Sequence, residues 1–156
     1  MNDEVHQLHL PCRLSSVKLG RHFARDVLAA AGLVELCDTA QLGTSELVAN
    51  AVRHAGTDIL LTVSLSNAVT ISIEDHQPEL RRPMPPRSDE LGESGRGLHI
   101  VAAVSQDWGV RSIAGGKVIW FTLSLPQAGA PDARMLHIHA PRALPGEATS
   151  QQGRQR

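Results

Sequence analysis

Residues 46–55, ELVANAVRHA, describe a helix with one apolar and one polar face. At about 100° per residue, one continuous arc holds the apolar side chains, Leu47, Val48, Ala51, Val52 and Ala55. The opposite arc holds the polar ones, Glu46, Asn50, Arg53 and His54. Glu46 and Asn50 stand at i and i+4, so they are surface neighbours and offer the oxygen ligands that Mg²⁺ takes. The polar arc indicates either a site that holds a cation and orients a hydroxyl beside it, or an ordinary solvated face.

The segments around this helix predict a two-layer α+β fold. Ser15 or Ser16 can cap a helix that precedes it, and Gly32 and Gly56 supply stop signals for the two helices. The predicted helices cover residues 15–31, 35–55 and 97–105. The predicted strands cover residues 7–13, 59–66, 69–75, 107–113 and 117–125. This order of elements indicates helices packed on one face of a mixed β-sheet.

Composition narrows the range of partners. The chain has 15 basic and 16 acidic residues, a formal charge of −1, and only 3% aromatic residues. Neither a field that attracts nucleic acid nor a platform for base stacking is therefore expected. No apolar run approaches the roughly 20 residues that span a bilayer, and the first residues lack the features of a signal peptide. These features predict a cytoplasmic protein that binds neither nucleic acid nor membrane.

We expect one globular domain followed by a tail. The length of 156 residues suits a single domain, and the periodic apolar pattern stops after Pro126. Residues 1–126 are therefore predicted to form the domain, and residues 127–156, rich in Ala, Pro, Gln and Arg, a disordered tail. Cys12 and Cys37 form neither a zinc motif nor a disulfide framework, so both are expected to be reduced.

A carboxylate, Asp75, ends the second hairpin strand. Its side chain has the parity of the apolar row that precedes it, Val69, Ile71 and Ile73. Because burying an unpaired carboxylate is costly, Asp75 needs a dedicated donor. That donor is a backbone amide or turn, or else a ligand amine such as the exocyclic amine of adenine, for which the apolar row would form a wall.

Two further segments indicate a nucleotide-binding loop and helix. Residues 77–93 are rich in proline and charge, and loops of this length are usually functional or disordered. Residues 92–98, GESGRGL, place small residues at a helix start, where backbone N–H groups and the helix dipole favour phosphate, and Arg96 can add a charge-assisted contact. The sequence has neither the P-loop nor the dinucleotide-binding order of glycines, and a lone glycine-rich helix start is also typical of a flexible loop end.

Together these elements resemble the GHKL ATPases, which have the Bergerat fold. The N box is Glu46-x-x-x-Asn50-Ala51-x-x-His54. The first glycine box is Asp75-x-Gln77, the second is Gly95-x-Gly97, and the last-strand box is GKVIWF at residues 116–121. The resemblance covers about residues 8–125. Because no phosphoacceptor hairpin or transducer domain accompanies these boxes, the chain is most similar to the bacterial anti-sigma-factor serine kinases.

This resemblance implies a role for each site residue. Glu46 would be the general base, Asn50 the Mg²⁺ ligand and Asp75 the acceptor for the adenine amine of ATP. The phosphate cradle would be formed by Gly95, Arg96 and Gly97, beneath a mobile lid at residues 79–94. The remaining pocket residues would be Gln77, Lys117, Arg53 and His54. Gln77 departs from the family pattern, which usually has a small residue there, and the tail has no counterpart in the family.

The resemblance also implies an activity and partners. The protein would be a serine/threonine-protein kinase that uses ATP and Mg²⁺ to phosphorylate an anti-sigma-factor antagonist, would sequester a sigma factor, and would form the homodimer common in this family. One alternative is a partner-binding module that uses ATP only to shape its surface, with little or no phosphoryl transfer. Another is a detached sensor-kinase domain that phosphorylates histidine, which the absence of a dimerisation hairpin disfavours.

Overall fold

A computed structural model describes residues 3–54, 56–76 and 96–127 of the chain. The helices are α1 (Ser15–Ala30), α2 (Cys37–His54) and α3 (Arg96–Val104), with a short 3₁₀ helix at Val34–Leu36 before α2. The strands are β1 (Glu4–Leu10), β2 (Ile59–Leu65), β3 (Ala68–Asp75), β4 (Asp107–Ile113) and β5 (Gly116–Ser124). All of these elements lie within Met1–Pro126, the first of the two units into which the chain divides. The expected lid at residues 79–94 and the expected tail, apart from Gln127, lie outside the described residues.

The five strands form one sheet in the order β1-β2-β3-β5-β4. The α+β class is as predicted, but all pairs of described strands are antiparallel, which corrects the expectation of a mixed sheet. Two successive helices between β1 and β2 bring the chain back in the opposite direction. After α3, strand β4 runs in the same direction as β3. The two strands do not pair, because β5 lies between them and is antiparallel to both.

The inner face of the sheet is apolar and is covered by the helices. Every second residue of β2 and β3 is buried, as the two-residue period of a strand requires. Phe121 of β5 and Leu47 and Val48 of α2 belong to the same core and are fully buried. Each such side chain stabilises the fold by about 1.5–3 kcal/mol relative to an exposed one. The apolar row that ends at Asp75 therefore faces the helix layer, as its parity predicts.

The helices end at the glycines that the sequence indicated. Gly32 after α1 and Gly56 after α2 have positive φ angles of 76° and 63°. A side chain would strain the backbone in this left-handed region, so glycine is the favoured residue just beyond a helix. None of the described helices is long and apolar enough to cross a membrane.

The beginning of α1 differs from the prediction. Its N-cap residue is Leu14, and no side chain caps the helix. The hydroxyl of Ser16 instead donates a hydrogen bond of 2.6 Å to the carbonyl oxygen of Pro11. Because Pro11 has no N–H to donate to the sheet, β1 ends at Leu10 and does not continue to residue 13. The serine thus stabilises the turn between β1 and α1.

Both cysteines are free thiols with structural contacts. Cys12 Sγ donates to the carbonyl oxygen of Val52, and Cys37 Sγ to that of Arg25. Burial raises the pKa of the Cys37 thiol, and the neighbouring charge of Asp38 raises it further. The thiol of Cys37 therefore stays protonated, which disfavours a nucleophilic role.

Two buried helical glycines test how closely the helices pack on the core. A Cβ added at Gly43 would lie 2.5 Å from Cζ of Phe121, whereas one at Gly20 would lie 3.1 Å from the methyl tip Cγ2 of Val48. We expect Gly43→Ala to lower the free energy of unfolding by about 1–3 kcal/mol through overpacking, although alanine favours the helix by up to about 1 kcal/mol. Gly20→Ala should be nearly neutral. Urea denaturation measures both, and equal losses would contradict the packing described.

Candidate functional site

The polar arc of α2 is built as the sequence predicts. The described residues of the apolar arc are buried, apart from the half-buried Val52, whereas Glu46 and Asn50 are half-buried and stand one helical turn apart. Arg53 and His54 are exposed in the last turn, where the helix dipole favours positive charge. Half-burial shields the carboxylate and the carboxamide from part of the solvent, which strengthens any contact they make with a charged ligand.

The carboxylate of Glu46 lies beside the first turn of α3. A Cβ added at Gly97 would lie 2.7 Å from Oε2 of Glu46 and 3.6 Å from its Cβ. A side chain at position 97 would force this carboxylate to move, and the partial positive charge of a helix N-terminus favours a carboxylate there. The structure therefore brings together the predicted general base and one of the glycines predicted to cradle phosphate.

Asp75 is buried at the end of β3 and forms an ion pair with Lys117 of β5. The two are register partners on adjacent strands, and Nζ of Lys117 lies 3.3 Å from Oδ2 of Asp75. A Cβ at Gly116 would overlap the backbone carbonyl oxygen of Asp75, so the close approach of these strands depends on glycine at that position. Lys117 supplies a donor that the sequence argument for Asp75 did not include.

The end of α2 and the Asp75 carboxylate lie at the same end of the sheet. Ile59, which begins β2 shortly after α2, is the register partner of Asp75. Thr57, in the connection from α2 to β2, accepts at Oγ1 a hydrogen bond of 3.3 Å from the backbone N–H of His76. Because Asp75 faces the helix layer, the C-terminal half of α2 and the buried acid occupy the same region between helices and sheet.

Part of the predicted site cannot be placed. Gln77 and Gly95 lie outside the described residues. Arg96 is the first residue of α3, and its backbone alone is described; Gly97 follows it and is half-buried. The contacts of Gln77, Gly95 and Arg96 with adenine or phosphate stay predictions.

The described residues contain no cluster of ligands that would hold a cation by themselves. Within residues 3–54, 56–76 and 96–127, no group of three or more His, Cys, Asp or Glu side chains could hold a metal ion. Mg²⁺ at nucleotide sites is usually bound by one or two protein oxygens, phosphate oxygens and water. The carboxamide of Asn50, half-buried and one turn from Glu46, is chemically suited to supply one such protein oxygen.

The two contacts that define the site were not predicted from the sequence. Pairing of Asp75 with Lys117 requires β5 to lie beside β3, although β4 separates them along the chain. The contact between Glu46 and Gly97 requires α2 to pack against α3. The sequence does hold one signal for the first contact. Lys117, Ile119 and Phe121 are alternate residues of one strand, so the side chain of Lys117 faces the same side of the sheet as the two apolar ones.

Comparison with known proteins gives a family and a fold. Residues 10–123 match the model of a protein family described as the histidine kinase-like ATPase domain. The structure is similar to the crystal structure of the RsbU and RsbW domains of Rv1364c from Mycobacterium tuberculosis, with a TM-score of 0.55 and 19% sequence identity. The match covers 78% of this chain and 32% of that one, so the chain spans about a third of the length of that protein. No match was found among the curated proteins. At this level of identity, the structural likeness supports the fold alone.

Proposed function

The chain belongs to the histidine kinase-like ATPase family, and from that premise we propose that it is an ATP-binding regulatory protein of the anti-sigma-factor kinase type. It would transfer phosphate from ATP to a serine or threonine of an anti-sigma-factor antagonist and bind a sigma factor in alternation with it, in the cytoplasm and as a homodimer. The N box, the glycine boxes and the last-strand box quoted above support this assignment, because their order and spacing resemble those of the anti-sigma-factor serine kinases.

The buried carboxylate of Asp75 is the observation that carries the proposal. It ends an apolar row on the helix-covered face of the sheet and is 1% exposed. An adenine ring needs apolar walls and a fixed acceptor for its amine; Asp75 would supply the acceptor, and the end of the apolar row would supply part of a wall. At the other part of the site, Gly97 lies in the first turn of α3, where backbone N–H groups favour an anion such as phosphate, and next to the carboxylate of Glu46.

Each remaining site residue has a distinct task in this proposal. Asn50 would supply a protein oxygen to Mg²⁺, and the cation would neutralise phosphate charge when bound. Glu46 would orient the acceptor hydroxyl or accept its proton. Arg96 and Lys117 would place positive charge near the nucleotide. Positioning and charge neutralisation, with little covalent chemistry by the protein, account for most of the catalysis in phosphoryl transfer.

One observation favours a second candidate, a binding module with little or no phosphoryl transfer. The contact between Glu46 and Gly97 gives the carboxylate a role in packing α2 against α3. A glutamate retained for that contact would not need to act as a base. In such a module, ATP would shape the surface that captures a partner.

Calorimetry and radiolabelling of the full chain test these proposals. Heat of binding with ATP and Mg²⁺, reduced when EDTA removes the metal, would support the nucleotide site, and no heat at near-millimolar ATP would contradict it. With γ-labelled ATP and a panel of anti-sigma-factor-antagonist proteins, stable phosphoserine or phosphothreonine identifies the kinase. ATP binding without label identifies the module, and label on histidine identifies a sensor-kinase domain.

We expect Asp75→Asn to weaken ATP binding by about 10- to 100-fold, because the amide would present an N–H₂ group or a neutral oxygen to the adenine amine. Glu74→Gln is the matched control, since Glu74 is the adjacent strand residue, points to the opposite face and pairs with His76 at 3.6 Å. Its ATP affinity should stay at the wild-type value. Isothermal titration measures both variants, and equal affinities would remove Asp75 from the adenine site.

A further inference from the structure

Asp75 and Lys117 form the most enclosed ion pair in the part of the chain that the structure describes. Their side chains are 2% and 13% exposed, and Nζ lies 3.3 Å from Oδ2. The pair formed by Arg25 and Asp26, in contrast, is 47% and 65% exposed. Because Asp75 and Lys117 are register partners, their positions are fixed by the sheet and do not depend on flexible loops.

Lys117 gives the buried carboxylate of Asp75 its donor, but the stability of the fold does not require a charged pair at this position. Enclosing two opposite charges costs desolvation, and an apolar pair of similar volume often stabilises a fold equally well or better. The next register pair on the same face is of that kind, Ile73 with Ile119. The charged pair as a whole, in place of an apolar pair, is therefore better explained by a ligand that needs both an acceptor and a cationic donor at the end of this row.

The adenine base has the complementary chemistry. Its Watson–Crick edge presents, side by side, the N6 amine, which donates, and the ring nitrogen N1, which accepts. A lysine ammonium has three N–H donors, of which the ion pair with Asp75 uses one. A carboxylate beside an ammonium thus presents an acceptor and a donor side by side, which complement the N6 amine and N1.

We propose that Lys117 recognises N1 of the adenine ring while Asp75 accepts a hydrogen bond from the N6 amine. This inference rests on the proposed nucleotide-binding function and adds a second specificity-determining residue to it. The ion pair also holds the Asp75 carboxylate in place before the nucleotide arrives, so the recognition edge is preorganised by two adjacent strands.

Two ATP analogues separate the roles of the two residues. 1-Deaza-ATP keeps the amine and lacks N1, whereas purine riboside triphosphate keeps N1 and lacks the amine. In the full-length wild type, each should bind about 10- to 100-fold more weakly than ATP, as expected for loss of a hydrogen bond to a charged group. In Lys117→Met, ATP itself should bind more weakly, and the difference between ATP and 1-deaza-ATP should fall to less than about threefold. The penalty for purine riboside triphosphate should persist in that variant, because Asp75 remains.

The affinity ratio is measured within one protein preparation by isothermal titration, so it does not depend on the folded fraction. Lys117→Gln, which is shorter and uncharged, carries the same expectation and serves if Lys117→Met does not fold. The role of Lys117 would be overturned, with ATP binding left intact, by either of two results. One is a wild type that binds 1-deaza-ATP as tightly as ATP, and the other is a ratio of the two affinities that is the same in both variants as in the wild type. Loss of the purine riboside penalty in the variants, with the 1-deaza penalty kept, would show that Lys117 only positions Asp75 and would also overturn it. A wild type that binds no ATP would overturn the proposed function together with this inference.

Discussion

Glu46→Gln is expected to lower the rate of phosphoryl transfer by about 10²- to 10⁴-fold while ATP binds with nearly unchanged affinity. Glutamine has the shape of glutamate, so the close contact of this side chain with Gly97 is retained. Its amide cannot accept the proton of the acceptor hydroxyl, and the transfer step therefore loses its base. Single-turnover transfer from γ-labelled ATP to an anti-sigma-factor antagonist measures the rate, and calorimetry measures the affinity.

Glu35→Gln is the control for this experiment. Glu35 is an exposed acid in the 3₁₀ helix that precedes α2, so the same change of charge is made outside the proposed site. Its transfer rate and ATP affinity should both match the wild type. Equal transfer rates for Glu46→Gln and wild type, with ATP bound, would favour the binding module over the kinase.

The elements of the fold could be predicted because local signals determine them. Gly32 and Gly56 take the positive φ that ends α1 and α2, and apolar alternation locates β2 and β3 to within a residue or two. The polar arc of α2 was equally predictable, since a helix of fixed period divides its side chains between two faces. Glu46 and Asn50 therefore emerged as site candidates from their spacing alone.

The pairings between elements depend on long-range packing and could not be predicted in this way. Nothing local indicates that β5 enters the sheet between β3 and β4, yet that step creates the pair of Asp75 and Lys117. Local signals also misled at the start of α1, where Ser16 bonds to Pro11 because the chain turns sharply out of β1. The side chains of the site could thus be found from local sequence patterns, whereas their contacts depend on how distant elements pack.

Phe121→Ala is expected to lower the free energy of unfolding by about 3–5 kcal/mol, the largest change in stability that the core suggests for one residue. Phe121 is 0% exposed, and its ring edge fills the space that Gly43 leaves on α2. Because Gly43 lies one helical turn before Glu46, the cavity would also weaken the packing of α2 against the sheet. Chemical denaturation measures the loss of stability.

Phe23→Ala provides the matched comparison, because these are the two phenylalanines of the chain and the same atoms are deleted from each. Phe23, on α1, is half-buried and packs at the border of the core, so part of its ring is already in water and less transfer free energy is lost. The loss of stability in Phe23→Ala should be clearly smaller than that in Phe121→Ala.

In the fraction that remains folded, Phe121→Ala should also weaken ATP binding, whereas Phe23→Ala should not, since only the ring of Phe121 supports α2 opposite Gly43. Equal losses of stability would mean that the contact between β5 and α2 does not anchor the helix that carries Glu46 and Asn50.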